Sequence, residues 1–348
     1  MKAILFCINP YSFGILKPLN DELIARGNEV LWYVPDRIAD KFPFKNESIV
    51  TNSIKTLYDF KSDAIFVPGN EVPHYLSGVK VQVFHGLAGE KKGHFRIRNY
   101  FDLYLTQGPY FTSRFEDLAK KHKDFKVKET GWCKLDTLFG SKNSFNNERE
   151  EILKNSNKKR IVLYAPTFSP SLTCAKHAKD KIFEIAETED VFVIIKFHDL
   201  MDKAIAEEYV ALAADRPNVT VSEERNILKF LIISDIMISD TSSVVYEFTL
   251  LDKPVVTVNS KSQNICWRDI KDVKHLRKAL IEELEQDNFR ENRKLIIEQY
   301  HPYSDGKSSA RMIEAVEDYI RNFGVPEKRK LNIYRKYLMN KMFGKEPK

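Results

Sequence analysis

The chain predicts an α/β fold of two domains, each built on a mostly parallel sheet. Strand-length apolar runs alternate with amphipathic helical segments, the rhythm of βα units. That rhythm stops at a polar stretch near residue 141 and then starts again. The length, 348 residues, also exceeds what one hydrophobic core usually supports.

The first apolar run, residues 3–8, is short and meets Asn9-Pro10 with no small-residue cleavage site, so it reads as a buried strand and not as a secretory signal. An amphipathic segment at 19–26 follows, then strands at 29–34, 64–67, 81–84 and 103–106. After Gly140 come a polar segment, 141–147, and a charged one, 148–159, and the domain boundary is placed there. The second series has strands at 160–164, 191–196, 219–221, 236–239 and 255–258, with helices at 179–189, 203–214, 243–251 and 308–322. The expected division is a Rossmann-like domain over 1–145, a second Rossmann-like domain over 146–325, and a basic amphipathic tail over 326–348. Two such domains facing across a cleft make the architecture called GT-B.

Composition narrows the function. Cys7, Cys133, Cys174 and Cys266 are scattered with no Cys-x-x-Cys pair, which argues against a zinc site and a disulfide framework and for a reducing cytoplasm. No run approaches the roughly 18 apolar residues of a membrane-spanning helix, so any membrane contact is expected to be peripheral. The net charge of +6 is modest for this length and comes with no nucleic-acid motif, so nucleic acid is not expected as a partner.

Candidate chemistry gathers at strand ends. The run at 191–196 ends in Lys196-Phe197-His198, and that at 236–239 ends in Ser239-Asp240-Thr241-Ser242-Ser243 before a helix. Hydroxyls and free N–H groups at a helix start, with a lysine and a histidine nearby, sketch an anion pocket. Asp240 to Ser243 also reads as a plain helix N-cap, and both readings can hold at once. In the first domain, Val81-Gln82-Val83-Phe84 stops at His85-Gly86, presenting a histidine where open α/β sheets bind ligands.

Taken in order, His85-Gly86, Gly131-x-x-x-Leu135-Asp136, Tyr164-Ala165-Pro166-Thr167, Lys196-x-His198, Ser239-Asp240-x-Ser242-Ser243 with Lys253-Pro254, and Asp305-Gly306 carry a resemblance. From about Gln82 to Arg311 the chain resembles the CDP-glycerol glycerophosphotransferase family of teichoic-acid and capsule synthesis. That resemblance implies a GT-B enzyme moving glycerol phosphate from CDP-glycerol, or a related CDP-alditol, to a hydroxyl of a lipid-linked or polymeric saccharide, with release of CMP. It makes 1–145 the acceptor-side domain and 146–325 the nucleotide-donor domain, and His85 the general base. Lys196 and His198 fall to the donor pyrophosphate, and Thr167, Thr241, Ser242, Ser243, Glu247, Asp305 and Gly306 to donor phosphate or nucleotide. Gly86, Lys91, Lys92, Lys134 and Asp136 fall to the acceptor side. No metal and no cofactor are called for.

The chain departs from the family pattern in places. Leu87 to Gly93 replaces a Thr-Pro-Leu-Lys type stretch, Cys133-Lys134 replaces a Pro-Arg pair, and no arginine follows Tyr164-Ala165-Pro166-Thr167-Phe168. A CDP-ribitol donor, or a nucleotide-sugar glycosyltransferase or UDP-sugar 2-epimerase on the same fold, are the alternatives. The tail mixes lysines and arginines with Leu331, Ile333, Tyr334, Tyr337, Leu338, Met339, Met342 and Phe343. It reads as a helix on an anionic membrane surface or as a terminal helix packed on the first domain. The expected location is cytoplasmic, peripheral on the inner face of the cell membrane.

Overall fold

The computed structural model describes residues 1–87, 93–224, 226–262 and 265–348. The elements run β1 (Lys2–Phe6), α1 (Tyr11–Ala25), β2 (Glu29–Tyr33), α2 (Asp36–Ala39), β3 (Val50–Thr51), α3 (Ile54–Phe60), β4 (Ala64–Val67), β5 (Val79–Gln82), β6 (Leu103–Thr106), α4 (Pro109–His122), β7 (Lys126–Glu129) and α5 (Lys134–Gly140). The series continues with α6 (Asn146–Ser156), β8 (Arg160–Tyr164), α7 (Ala175–Thr188), β9 (Val191–Ile195), α8 (Lys203–Ala213), β10 (Val219–Val221), α9 (Leu228–Ile233), β11 (Ile236–Ser239), α10 (Val244–Thr249), β12 (Val255–Val258) and β13 (Arg268–Ile270). A short 3-10 turn precedes α11 (Leu276–Gln286), and α12 (Arg290–Tyr300), α13 (Ser308–Phe323) and α14 (Ile333–Phe343) complete the chain.

Two compact units result: Met1–Gly140 with Gln299–Lys348, and Ser141–Glu298. The chain therefore returns to the first unit at Gln299, whereas the sequence suggested a second domain running to 325. The physical reason lies in long-range contacts of residues 300–311, described below, which no local pattern announces.

Among the described residues the first sheet has the order β3-β2-β1-β4-β5-β6-β7 and the second β10-β9-β8-β11-β12-β13. Every pairing is parallel. The central strands are buried on both faces, as in Ala64–Val67 and Val255–Val258, because helices cover both sides of a parallel sheet. Ile4, Phe6, Ile65 and Val67 anchor one core, and Val162, Tyr164, Val193, Ile195 and Val256 the other. In each unit strand order reverses once, between β1 and β4 and between β8 and β11. Ligand crevices of such sheets open at the carboxyl ends of the strands flanking that reversal.

The C-terminal segment is pinned to the first unit by buried charge. Arg329 donates to Asp102 at 2.5 Å and to Asp124 at 3.0 Å, and also to the carbonyls of Asn99 and Asp124. Asp102 in turn accepts from the Lys80 backbone N–H at 2.8 Å, so the arginine closes on the sheet itself. The Tyr75 hydroxyl donates to the Phe343 and Gly344 carbonyls, while the Phe343 ring meets Phe6 edge-on at 5.5 Å. The packed-helix reading of the tail thus holds for one side of α14.

Removing one partner of a buried ion pair strands the other. Arg329→Ala should lower the unfolding free energy by about 3–5 kcal/mol in denaturant titrations; a loss within ~0.5 kcal/mol would show that the pair is not what fixes the segment.

Candidate functional site

In the first unit the site is built around the exit of β5. The strand ends at Gln82, earlier than its sequence pattern suggested, and Phe84 takes a φ of 62°. That left-handed backbone is unfavourable for a bulky residue, by roughly 1–2 kcal/mol. It is stabilised by burial: the Phe84 ring stacks on His94 at 5.3 Å and meets Phe115 at 5.1 Å. Desolvation, followed by the charge of nearby His85, pushes His94 down to about 4. The turn leaves His85 exposed, with its Nδ1 2.9 Å from the Pro68 carbonyl at the exit of β4. A carbonyl only accepts, so Nδ1 carries the proton and Nε2 is left as the basic nitrogen.

Tyr11, at the exit of β1, lays its ring 5.2 Å from the His85 imidazole, and Asn9 donates to its hydroxyl at 3.2 Å. The sequence reading missed Tyr11 and Pro68. Their one signal is position: Pro68 directly follows a predicted strand, and Tyr11 comes three residues after the end of another. A Cβ on Gly86 would meet no atom of the described residues within 4 Å, and the Gly86 carbonyl accepts from buried Gln107. Lys91 and Lys92 lie outside the described residues.

The second unit brings Thr167, Asp240 and Thr241 together at its strand-order reversal. Fully buried Asp240 accepts from the backbone N–H of Thr167 at 2.8 Å and of Cys174 at 2.9 Å, fastening the loop after β8 to the end of β11. Desolvation raises its pKa and the two backbone bonds oppose the rise. Thr241 Oγ1 accepts from the Lys261 backbone at 3.0 Å. Ser242 is half-buried and Ser243 exposed at the start of α10, a helix of six residues and so shorter than expected. Ser243 makes no side-chain cap bond, and Glu247 lies in the first turn.

Lys196 and His198 leave β9 differently. Lys196 is 6 % exposed and donates to the Phe197 carbonyl, so it does not share an open face with His198 as the extended spacing suggested. The strand stops at Ile195, and a turn in which Met201 N–H donates to the His198 carbonyl replaces it. Exposed His198 rests on the Phe168 ring at 4.5 Å. Its Nδ1 accepts from the Leu200 N–H at 3.1 Å, which puts the proton on Nε2. Desolvation lowers the pKa of both side chains; Asp199 opposes this in both, Glu224 also in Lys196, and the Lys196 charge lowers His198 further.

Lys134, Asp136, Asp305 and Gly306 fall elsewhere, in a joint where the returning chain meets the first unit. Both oxygens of Asp136 accept from the first N–H groups of α13, Ser308 at 2.8 Å and Ser309 at 2.6 Å. Asp305 forms a two-pronged pair with Arg311, whose Nε donates to the Thr130 carbonyl. Gly306, at φ 67°, backs onto the Asp136 carbonyl, and a Cβ on Gly131, at φ 82°, would strike Ser308. Lys134 lies 5.3 Å from the Trp132 ring. Asp305 and Gly306 therefore sit in the first unit, not in the nucleotide domain where the sequence reading put them. Lys253, another motif residue, donates to the Leu231, Ile232 and Ser234 carbonyls at the end of α9. Among the described residues no cluster of metal ligands and no membrane-crossing helix occurs.

Two doubly wound parallel units, each with a histidine held at its carboxyl edge, define a GT-B-like two-domain α/β protein. The chain belongs to the family described as CDP-Glycerol:Poly(glycerophosphate) glycerophosphotransferase, whose model matches residues 19–263. It is 25% identical over 272 residues to the teichoic acid ribitol-phosphate polymerase TarL of Staphylococcus aureus, covering 67% of this chain and 46% of that one. With the teichoic acid poly(glycerol phosphate) polymerase of Bacillus spizizenii it shares 24% over 290 residues, 72% of this chain and 70% of the other. The chain spans about half the length of the staphylococcal ribitol-phosphate polymerases it matches, 46% and 51%. The wall teichoic acid polymerase TagF shares the fold at a TM-score of 0.66 and 17% identity, over 92% of this chain and 89% of that one. A UDP-N-acetylglucosamine 2-epimerase-like protein of Listeria monocytogenes does so at 0.67 and 15%, over 95% and 99%.

Asp136→Ala should cost about 1–2 kcal/mol of stability, the loss of a helix cap, in thermal or chemical unfolding. A stability unchanged from wild type would return Asp136 to the acceptor. Buried His301 accepts from the Trp132 N–H at 2.9 Å, and desolvation, helped by Arg311, pushes it down to about 4. Between pH 6.5 and that value the unfolded chain binds a proton that the folded one does not, so stability falls with falling pH, by up to about 3 kcal/mol. His301→Gln should flatten this acid limb in denaturant titrations across pH; an identical slope would refute the assignment.

Proposed function

We propose that this protein transfers glycerol phosphate from CDP-glycerol to a hydroxyl group of a saccharide or growing polymer, releasing CMP. The observation that carries the reading is the opposed protonation of two exposed histidines. His85 offers an unprotonated Nε2, held by the Pro68 carbonyl, and His198 offers an N–H donor, held by the Leu200 amide. One suits the removal of a proton, the other the binding of an anion.

In the proposed reaction the acceptor oxygen attacks the phosphorus bearing glycerol and its proton passes to His85 Nε2. The bond from that phosphorus to the bridging oxygen breaks, and CMP leaves with the electron pair. Negative charge spreads over the phosphate oxygens and the departing CMP; His198 Nε2–H binds it directly, and the buried Lys196 ammonium, turned inward, stabilises it through its charge at longer range. Thr167, Thr241, Ser242 and Ser243 hold donor phosphate, and Glu247 meets the nucleotide. The acceptor is carried on a lipid-linked saccharide at the inner face of the cell membrane, in teichoic-acid or capsule-type synthesis. Gly86 supports this placement of the acceptor, since among the described residues nothing stands within 4 Å of where its side chain would be, next to His85.

A CDP-ribitol donor is the second reading, supported by the match to ribitol-phosphate polymerases. Release of CMP should be measured with CDP-glycerol, CDP-ribitol and UDP-sugars. His85→Ala should lower turnover by about 10²–10⁴ with donor affinity nearly intact. Lys196→Ala should weaken donor binding roughly 10–100-fold. Equal loss of donor binding in both variants would sink this division of roles, and turnover only with a UDP-sugar would replace the reaction.

A further inference from the structure

Helix α14 carries two stripes of residues on opposite sides. Arg335, Met339 and Phe343 recur every four residues and face the first unit: Met339 is 1 % exposed, Phe343 meets Phe6, and the Arg335 guanidinium lies 5.6 Å from the Tyr100 ring. Ile333 and Tyr337, with Tyr334 beside them, form the other stripe and stand 89 %, 61 % and 65 % exposed. Lys341 continues this outer stripe, and Lys330, Lys336 and Lys345 are exposed around it.

Charge reinforces the pattern. Residues 327–348 hold eight lysines and arginines against two glutamates, an excess of six that equals the net charge of the whole chain, +6. The remainder of the protein is balanced. Two tyrosines, an isoleucine and a ring of flexible lysines on one face match a boundary where apolar groups enter acyl chains and ammonium groups reach anionic head groups. The helix is also held in place beforehand, by Arg329 and by the Tyr75 hydroxyl on its last carbonyls, so docking requires no folding step.

We propose that the outer face of α14, Ile333, Tyr334, Tyr337 and Lys341, docks the protein on an anionic lipid surface. This extends the reading of a lipid-borne acceptor, but binding to lipid needs no donor, so the two stand or fall separately.

The test is co-sedimentation of the full chain with vesicles of phosphatidylcholine alone or enriched in phosphatidylglycerol. The wild type should partition to the phosphatidylglycerol vesicles and be released by salt. The triple variant Ile333→Ser, Tyr334→Ser, Tyr337→Ser should bind at least about tenfold more weakly, with unchanged thermal unfolding and unchanged CMP release from a soluble acceptor. In Tyr334→Trp, emission should shift to the blue on vesicle binding. The proposal is overturned if the wild type does not bind, if the triple variant binds as well, or if vesicles leave the emission of the Tyr334→Trp variant unshifted, as for an indole still in water. It is equally overturned if soluble poly(glycerol phosphate) removes the blue shift by taking the same face.

Discussion

Parallel pairing makes every strand of a sheet finish at the same edge, and the sites of this protein depend on that constraint. The groups around His85 come from the exits of β1, β4 and β5, and those around Asp240 from the exits of β8 and β11. Residues as distant in sequence as Tyr11 and His85 become neighbours only because their strands run the same way. An antiparallel connection between any two of them would send one group to the opposite end of the sheet.

At these edges the backbone sets the chemistry. The Pro68 carbonyl and the Leu200 amide each fix which nitrogen of a histidine carries a proton. Such second partners decide the role of an imidazole as surely as its own position does. The left-handed Phe84, stabilised by the aromatic cluster beneath it, aims His85 outward. Strain of this kind persists where surrounding packing over-determines it.

Buried carboxylates act as fasteners elsewhere. Asp240 binds two loop amides, Asp136 caps α13, and Asp102 receives Arg329. Each joins segments far apart in the chain, and each takes its partners from backbone N–H groups or a guanidinium that would otherwise be buried without acceptors. The last of them also holds α14 with one stripe inward and the other exposed. A helix apolar on both sides is ambiguous as sequence, and here each of its two faces has a separate surrounding.

The sequence by itself determined the α/β class, the two-part rhythm, the main strands and the presence of His85, Thr167, Lys196 and His198 at strand exits, since these follow from local apolar runs and their endings. Short or polar strands such as Val50–Thr51 and Lys126–Glu129 were not legible, because their pairing comes from neighbours and not from their own composition. The tertiary structure alone decided the partners of the motif residues. Asp305-Gly306 reads as a turn anywhere, yet only the return of the chain at Gln299 puts it beside Asp136 in the first unit. Lys196 and His198 share one face only while the strand continues, and its end at Ile195 turns one inward and leaves the other exposed. Local pattern fixes which groups are available, but burial and long-range hydrogen bonding fix where they point.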